Sequence, residues 1–210
     1  RTQLAEESVS ADAPVHPGKM FEILDMYLDD RCQVFAENGN SMAWAINRFT
    51  PRDEQGFYVP LGLASMGSGI GSAIGAATLP GQGPVLCFTG DCSMMMNGAE
   101  LKTAFEYQIP IKLFVLNDGG HGMVDHGSRL IGLEGVPVRF RRNIDFDLYG
   151  RALGIRTFVV NTMGEFMSLP FQEIFASPDP MLVDLRIDVR AVPPIASRAR
   201  VLGQSDARMQ

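Results

Sequence analysis

Residues 84–91, Pro84-Val85-Leu86-Cys87-Phe88-Thr89-Gly90-Asp91, decide the fold. The run from Val85 to Thr89 shows no alternation of apolar and polar residues, so it reads as a strand buried on both faces and ended by Gly90. A second run of this kind, Ile111-Lys112-Leu113-Phe114-Val115-Leu116, follows Pro110 and ends at Asn117-Asp118-Gly119-Gly120. The residues between them, from about Met94 to Gln108, read as a helix. Strand, helix and strand in this order make a parallel pair, because only a long crossover lets the second strand run the same way as the first.

Working outward, the pattern repeats. Met20 to Leu28 carries helical spacing after Gly18, and Gln33-Val34-Phe35-Ala36 is a short strand running into Glu37-Asn38-Gly39-Asn40-Ser41. Gly62 to Leu79 is rich in glycine and alanine, with Gly67, Gly71 and Gly75 on one helix face, a spacing that suits close packing. Beyond Asp118, residues 121–142 read as an active-site loop with room for a short helix. Then come a helix over 145–153, a strand over 155–160, a helix over 164–176 and a last strand over 181–187. The expected fold class is α/β, a mostly parallel central sheet with helices on both faces. Residues 18–190 form the expected domain, flanked by a polar tail over 1–17 that lies across a partner and a second tail over 191–210.

Composition narrows the function classes. The chain has 210 residues, enough for one α/β domain and short for two, and its 46% hydrophobic and 20% charged residues are ordinary for a globular protein. A net charge of -6 argues against nucleic acid or an anionic membrane as partner. No apolar run approaches the ~20 residues of a membrane span. Cys32, Cys87 and Cys92 show no paired spacing and read as free thiols in a reducing, cytoplasmic setting.

Ligands of open α/β sheets bind beyond the carboxyl ends of the strands. Three such ends carry small polar residues or carboxylates: Glu37–Ser41, Gly90–Ser93 and Asn117–Gly120. The first two lead into helices, whose unpaired N–H groups suit an anion. Bare Asp91 and Asp118 would repel that anion, whereas a hard divalent cation between them would bind it. The set therefore suggests a metal-bridged diphosphate. A dinucleotide site is the rival, since Gly67-x-Gly69-x-x-Ser72 is close to its glycine fingerprint. That pattern is weak, and it leaves Asn117-Asp118 unexplained.

Gly90-Asp91-Cys92-Ser93 followed by Asn117-Asp118 resembles the Gly-Asp-Gly … Asn-Asn motif of thiamine diphosphate enzymes. The two aspartates stand 27 positions apart, the family's spacing. The resemblance implies Mg2+ held by the side chains of Asp91 and Asp118 and the carbonyl of Gly120. Cys92 departs from the motif's last glycine and Asp118 from its asparagine. Glu37-Asn38-Gly39-Asn40-Ser41 is similar to the diphosphate-contacting turn of 2-oxo acid decarboxylases. Gly62-Leu63-Ala64-Ser65-Met66-Gly67 is similar to the segment beneath the cofactor in acetolactate synthases. There Met66 would bend the cofactor, with Ser65 beside it, and the Ala64 carbonyl would accept from the 4′-amino group. His121-Gly122-Met123-Val124 resembles the synthases' Leu-Gly-Met-Val, and Gly127 stands where they carry an acceptor-selecting tryptophan.

The resemblance further implies a second, pyrimidine-binding domain with an activating glutamate, for which the chain has no room. A partner subunit would supply it, in a heterotetramer. The expected chemistry is decarboxylation of a 2-oxo acid with carboligation. Simple decarboxylation, as in split sulfopyruvate or phosphonopyruvate decarboxylases, and a non-catalytic cofactor-domain role are the alternatives. His121 and His126 are candidate proton shuttles. Arg139, Arg141 and Arg142 would grip a substrate carboxylate, make a subunit contact, or form a solvated basic loop.

Overall fold

The computed structural model describes residues 9–51, 56–81, 83–133 and 135–194. Six strands form one all-parallel sheet in the order β2-β1-β3-β4-β6-β5. They are β1 (Gln33–Ala36), β2 (Phe57–Tyr58), β3 (Val85–Gly90), β4 (Ile111–Asn117), β5 (Arg156–Val160) and β6 (Met181–Arg186). The central strands β3, β4 and β6 are buried along nearly their whole length, as their unbroken apolar runs require.

Alternate residues of these strands feed two separate cores. Leu86, Phe88, Phe114, Leu116, Val183 and Leu185 face one side. There α1 (Pro17–Leu24), α2 (Asn40–Arg48), α8 (Met163–Met167) and α9 (Phe171–Ala176) cover the sheet. Phe88 is gripped between Phe21, ring centroids 4.7 Å apart, and Phe114 at 5.2 Å. Val85, Cys87, Ile111, Leu113, Val115 and Leu182 face the other side. That face is covered by α3 (Ser68–Ala77), α4 (Asp91–Asn97), α5 (Leu101–Glu106) and α7 (Phe146–Ala152). A sheet with helices on both faces is thus what the sequence pattern specified.

Several details differ from the sequence reading. The helix expected from Met94 starts at Asp91 and passes through one 3-10 turn, Gly98–Glu100, before α5. The helix expected over 164–176 is two, separated at Leu169-Pro170, where proline lacks the N–H that a continuing helix needs. Strand β2 has no sequence signal of its own, being two residues on the sheet edge. The expected loop 121–142 contains a nine-residue helix, α6 (Gly122–Leu130). Close packing at Gly71 and Gly75 is not found, since a Cβ at either would meet nothing within 4 Å. The close approaches are at Gly67, where a Cβ would lie 3.1 Å from the Asn97 side chain, and at Gly69, 3.3 Å from the Glu37 carboxyl. Within the span read as an N-terminal tail, Val15 is fully buried and pairs in parallel with Ile187. Residues 1–8 and 195–210 of the two expected tails lie outside the described residues.

The chain leaves β1 toward β2 on one side and returns to β3 on the other, so the sheet reverses its winding between β1 and β3. At such a switch point the connections part and leave a crevice at the carboxyl ends. Among the described residues, no helix is long and apolar enough to cross a membrane, and the three cysteines form no disulfide.

Candidate active site

The crevice is a cavity of about 420 Å³ at the carboxyl ends of β1, β3 and β4. The turn after β1 contributes Asn38, Gly39 and Asn40, and the turn after β3 contributes Gly90, Asp91, Cys92 and Ser93. The turn after β4 contributes Asp118, Gly120, His121, Gly122 and Met123, while Ala64 and Met66 approach from the loop before α3. Sequence reasoning brought these together. It missed Met42 on α2, together with Leu61, Leu116 and Ile187. Ile187 directly follows β6, so the rule about strand ends would have found it.

Asp91 is 1% exposed and organises the floor. Its Oδ2 accepts from the backbone N–H of Gly119 (2.8 Å) and Gly120 (2.9 Å), and its Oδ1 accepts from Cys92 (2.7 Å). The carboxylate after β3 thereby clamps the turn after β4. Gly119 and Gly120 take left-handed φ values of 79° and 158°, which a side chain there would oppose. The Asp118 carboxylate packs on Gly122, where an added Cβ would lie 1.9 Å from its Oδ2. Burial and the neighbouring Asp91 charge push the Asp118 carboxyl up to about 6, against the pull of Arg139. Burial also raises Asp91, against its backbone donors. Two buried carboxylates that discourage each other's ionisation are a setting a divalent cation relieves.

Two further observations fit a metal–diphosphate. Asn40 Oδ1 and Ser93 Oγ are buried without a hydrogen-bond partner, and both residues line the cavity. The N-terminus of α2, at Gly39 (φ 121°), has no side-chain cap, which leaves backbone N–H groups for an anion. Among the described residues no cluster of three His, Cys, Asp or Glu side chains assembles. A metal here would therefore complete its shell with ligand oxygens and backbone. The Gly120 carbonyl already accepts from Gly122 N–H (3.0 Å) and retains one lone pair.

Three expected site residues do not line the cavity. Glu37 is wholly buried, its Oε2 accepting from Gly69 N–H (2.9 Å) and its Oε1 from Asn38 N–H (3.0 Å). It serves as the anionic cap of α3, with Gly67 and Ile70 as further donors, and burial holds its carboxyl above the usual range. Ser65 uses its carbonyl to accept from Asn38 Nδ2 (3.3 Å) and Ser68 Oγ (2.7 Å). His126 is buried, with Nδ1 3.2 Å from Asn40 Nδ2 and Nε2 3.2 Å from the Val189 carbonyl. Those partners assign the proton to Nε2, and burial lowers the ring's pKa. Both ring nitrogens are thus committed, and the proton-shuttle role expected of His126 has no free atom here. His121 does line the cavity.

Ala64 adopts φ 54°, rare for a residue with a side chain. The strain sits in the loop that faces the cavity, a frequent correlate of function. Cys92 is buried, and burial together with Asp91 pushes its thiol up to about 12, so it stays protonated. Nothing in the structure explains a cysteine at this position. Of the three arginines, Arg139 meets the site directly, donating from Nη1 to the Asp118 carbonyl (2.6 Å).

The family model described as the C-terminal TPP-binding domain of thiamine pyrophosphate enzymes matches residues 37–185. Acetolactate synthase isozyme 1 large subunit of Escherichia coli (strain K12) is 30% identical over 183 residues, 84% of this chain and 32% of that protein. A probable acetolactate synthase large subunit of Methanococcus aeolicus is 29% identical over 91% of this chain and 33% of its own length. The chain thus spans about a third of the curated relatives it matches. Its fold is shared with a thiamine diphosphate-dependent 4-hydroxybenzoylformate decarboxylase of Rhodococcus jostii RHA1. That match has a TM-score of 0.78 at 24% identity and covers 90% of this chain and 36% of that one. With the family's model matched across the strand ends that build the cavity, the chain belongs to the thiamine diphosphate enzymes, as their C-terminal, cofactor-binding domain.

Proposed function

We propose that this chain binds the diphosphate of thiamine diphosphate through Mg2+ and serves an enzyme that decarboxylates a 2-oxo acid and joins the product to a second carbonyl compound. The observation that carries the reading is the convergence of Asp91, which is buried, and Asp118, whose side chain is 9% exposed, on one cavity at adjacent strand ends. Their carboxylates would hold the metal, with the Gly120 carbonyl as a third oxygen. Asn40, Ser93 and the uncapped start of α2 would receive the diphosphate. Met66 and the strained Ala64 would support the rings, with the Ala64 carbonyl accepting from the 4′-amino group.

When bound, the cofactor supplies the nucleophilic carbon and the electron sink that decarboxylation needs. This chain's residues position that group and shape its surroundings. Apolar Leu61, Leu116, Met123, Val124 and Ile187 line the cavity and would give the cofactor apolar surroundings. His121, which lines the cavity, would move a proton there. Simple decarboxylases of this kind would carry a proton-relaying glutamate a few residues after the metal turn, and the stretch His121-Gly122-Met123-Val124 holds none. This favours carboligation over simple decarboxylation, and the acetolactate synthases among the relatives agree with it. Gly127 stands where the synthases carry an acceptor-selecting tryptophan, so the acceptor would differ from theirs.

The activating glutamate and the pyrimidine-binding domain would come from a partner polypeptide, in a heterotetramer located in the cytoplasm. Mixing the purified chain with that partner, thiamine diphosphate, Mg2+ and a 2-oxo acid tests the reading. We expect turnover only with both polypeptides, and an acyloin-type product when an aldehyde or keto acceptor is added. Turnover by the chain alone would refute the split arrangement. Aldehyde as sole product at every acceptor concentration would move the assignment to a simple decarboxylase.

A further inference from the structure

Two carboxylates buried side by side need a counter-charge. Among the described residues, the cation in contact with the Asp91–Asp118 pair is Arg139, whose Nη1 lies 3.4 Å from Asp118 Oδ2. Arg139 is brought there by backbone pairing. His121 N–H donates to the Val138 carbonyl (2.9 Å) and Phe140 N–H to the Gly119 carbonyl (2.8 Å), with Arg139 opposite Gly120 in an antiparallel bridge. The approach is tight enough that a Cβ on Gly120 would lie 2.3 Å from the Val138 carbonyl.

The guanidinium is also fixed from its far side. Nε and Nη2 donate to Asp125 Oδ2 (3.0 and 2.5 Å), and Arg129 holds the same carboxylate through Nε (3.1 Å) and Nη2 (3.0 Å). Arg139 therefore cannot swing away without abandoning Asp125. It also cannot lose its proton at any ordinary pH.

We infer that Arg139 is a built-in counter-cation of the Asp91–Asp118 pair, holding the turn when no metal is bound and limiting, by its charge, how tightly a divalent cation binds there. The inference rests on the cofactor reading above. A cation arriving between the aspartates is attracted by two carboxylates and repelled by one guanidinium at close range. Neutralising Asp118 and neutralising Arg139 must then shift cation affinity in opposite directions, and doing both must largely restore it. A purely structural arginine would give another pattern, because its loss would loosen the turn and weaken the cation in either background.

The experiment uses Mn2+ as probe, with free aqua ion counted by electron paramagnetic resonance at saturating thiamine diphosphate, in the assembly that carries the pyrimidine domain. Asp118→Asn should weaken Mn2+ binding and Arg139→Gln should tighten it, each by about tenfold, and the double variant should fall within about threefold of the unaltered protein. Weaker binding in Arg139→Gln, not recovered in the double variant, would overturn the inference while leaving the cofactor reading intact. No Mn2+ binding by the unaltered assembly would remove the cofactor reading and this inference with it. Should Arg139→Gln not fold, Arg139→Lys keeps the charge and should bind Mn2+ within about threefold of the unaltered protein; a tenfold change in either direction would reject the charge argument.

Discussion

Strand β4 carries a buried charge near each end, and the protein treats the two differently. At the amino end Lys112, 1% exposed, donates from Nζ to the carbonyls of Ser177 (2.8 Å) and Asp179 (2.5 Å). The ammonium closes the turn between α9 and β6, held by carbonyls of that turn. At the carboxyl end Asp118 meets a second carboxylate, one guanidinium and a cavity bordered by partnerless Asn40 Oδ1 and Ser93 Oγ. A buried charge satisfied from within is architecture. A buried charge whose neighbours remain unsatisfied around a cavity is prepared for something that arrives.

The strongest way to break this comparison is at the carboxyl end. Asp91→Asn preserves the acceptor facing Gly119 and Gly120 but turns an NH2 toward Cys92 N–H and removes a metal charge. It should weaken Mg2+-dependent binding of thiamine diphosphate on the order of 100-fold by calorimetry, with about 1 kcal/mol lost in metal-free melting from the unpaired Cys92 N–H. A matching loss of stability would mean that Asp91 is architectural too.

At the amino end the expected pattern is reversed. Lys112→Met strands two carbonyls and should lower stability by about 1–3 kcal/mol in urea unfolding, leaving cofactor affinity alone. Burial pushes the Lys112 ammonium down from its ordinary 10.5 to about 8. Between those values the unfolded chain binds more protons than the folded one, so Lys112 contributes stability that rises with pH from about 8 toward 10.5. That rise should be absent from Lys112→Met. The same rise in both proteins would show that another group is responsible.

The two histidines sharpen the contrast within one helix turn. His126→Ala leaves Asn40 and Val189 without partners and should cost about 1–2 kcal/mol of stability, with a modest change in turnover. His121→Ala should barely move the melting temperature while lowering kcat by about 100-fold. Exchange of these outcomes would return His126 to the reaction. The smallest effect is expected from Ala64→Gly, which relieves the left-handed strain at φ 54° but adds unfolded-state entropy. A net gain of about 0.5 kcal/mol in metal-free thermal melting is expected. A loss would mean that the methyl group makes contacts outweighing its strain.

Much of this site was legible in the sequence because its parts sit at strand ends. Unbroken apolar runs such as Val85–Thr89 and Leu113–Leu116 announce buried parallel strands, and the residues that end them must reach the sheet's carboxyl edge. Asp91 and Asp118 could thus be placed together before any coordinates. Glu37 shows where that logic stops. It occupies a strand end like Asp91, yet its carboxylate turns to the start of α3, since Gly67, Gly69 and Ile70 offer N–H groups from a segment about 30 positions away. Nothing local to residues 36–41 encodes that choice.

The same division applies to Arg139 and His126. Sequence alone determined an α/β domain, its buried strands, the three polar turns and their chemical type, because periodicity and turn composition are local properties. Only the tertiary structure decided that Arg139 touches Asp118, that His126 spends both nitrogens on Asn40 and Val189, and that Gly67 and Gly69, not Gly71 or Gly75, are the close approaches. Those outcomes depend on which donors and acceptors meet when two cores close on one sheet, and distance along the chain does not record that.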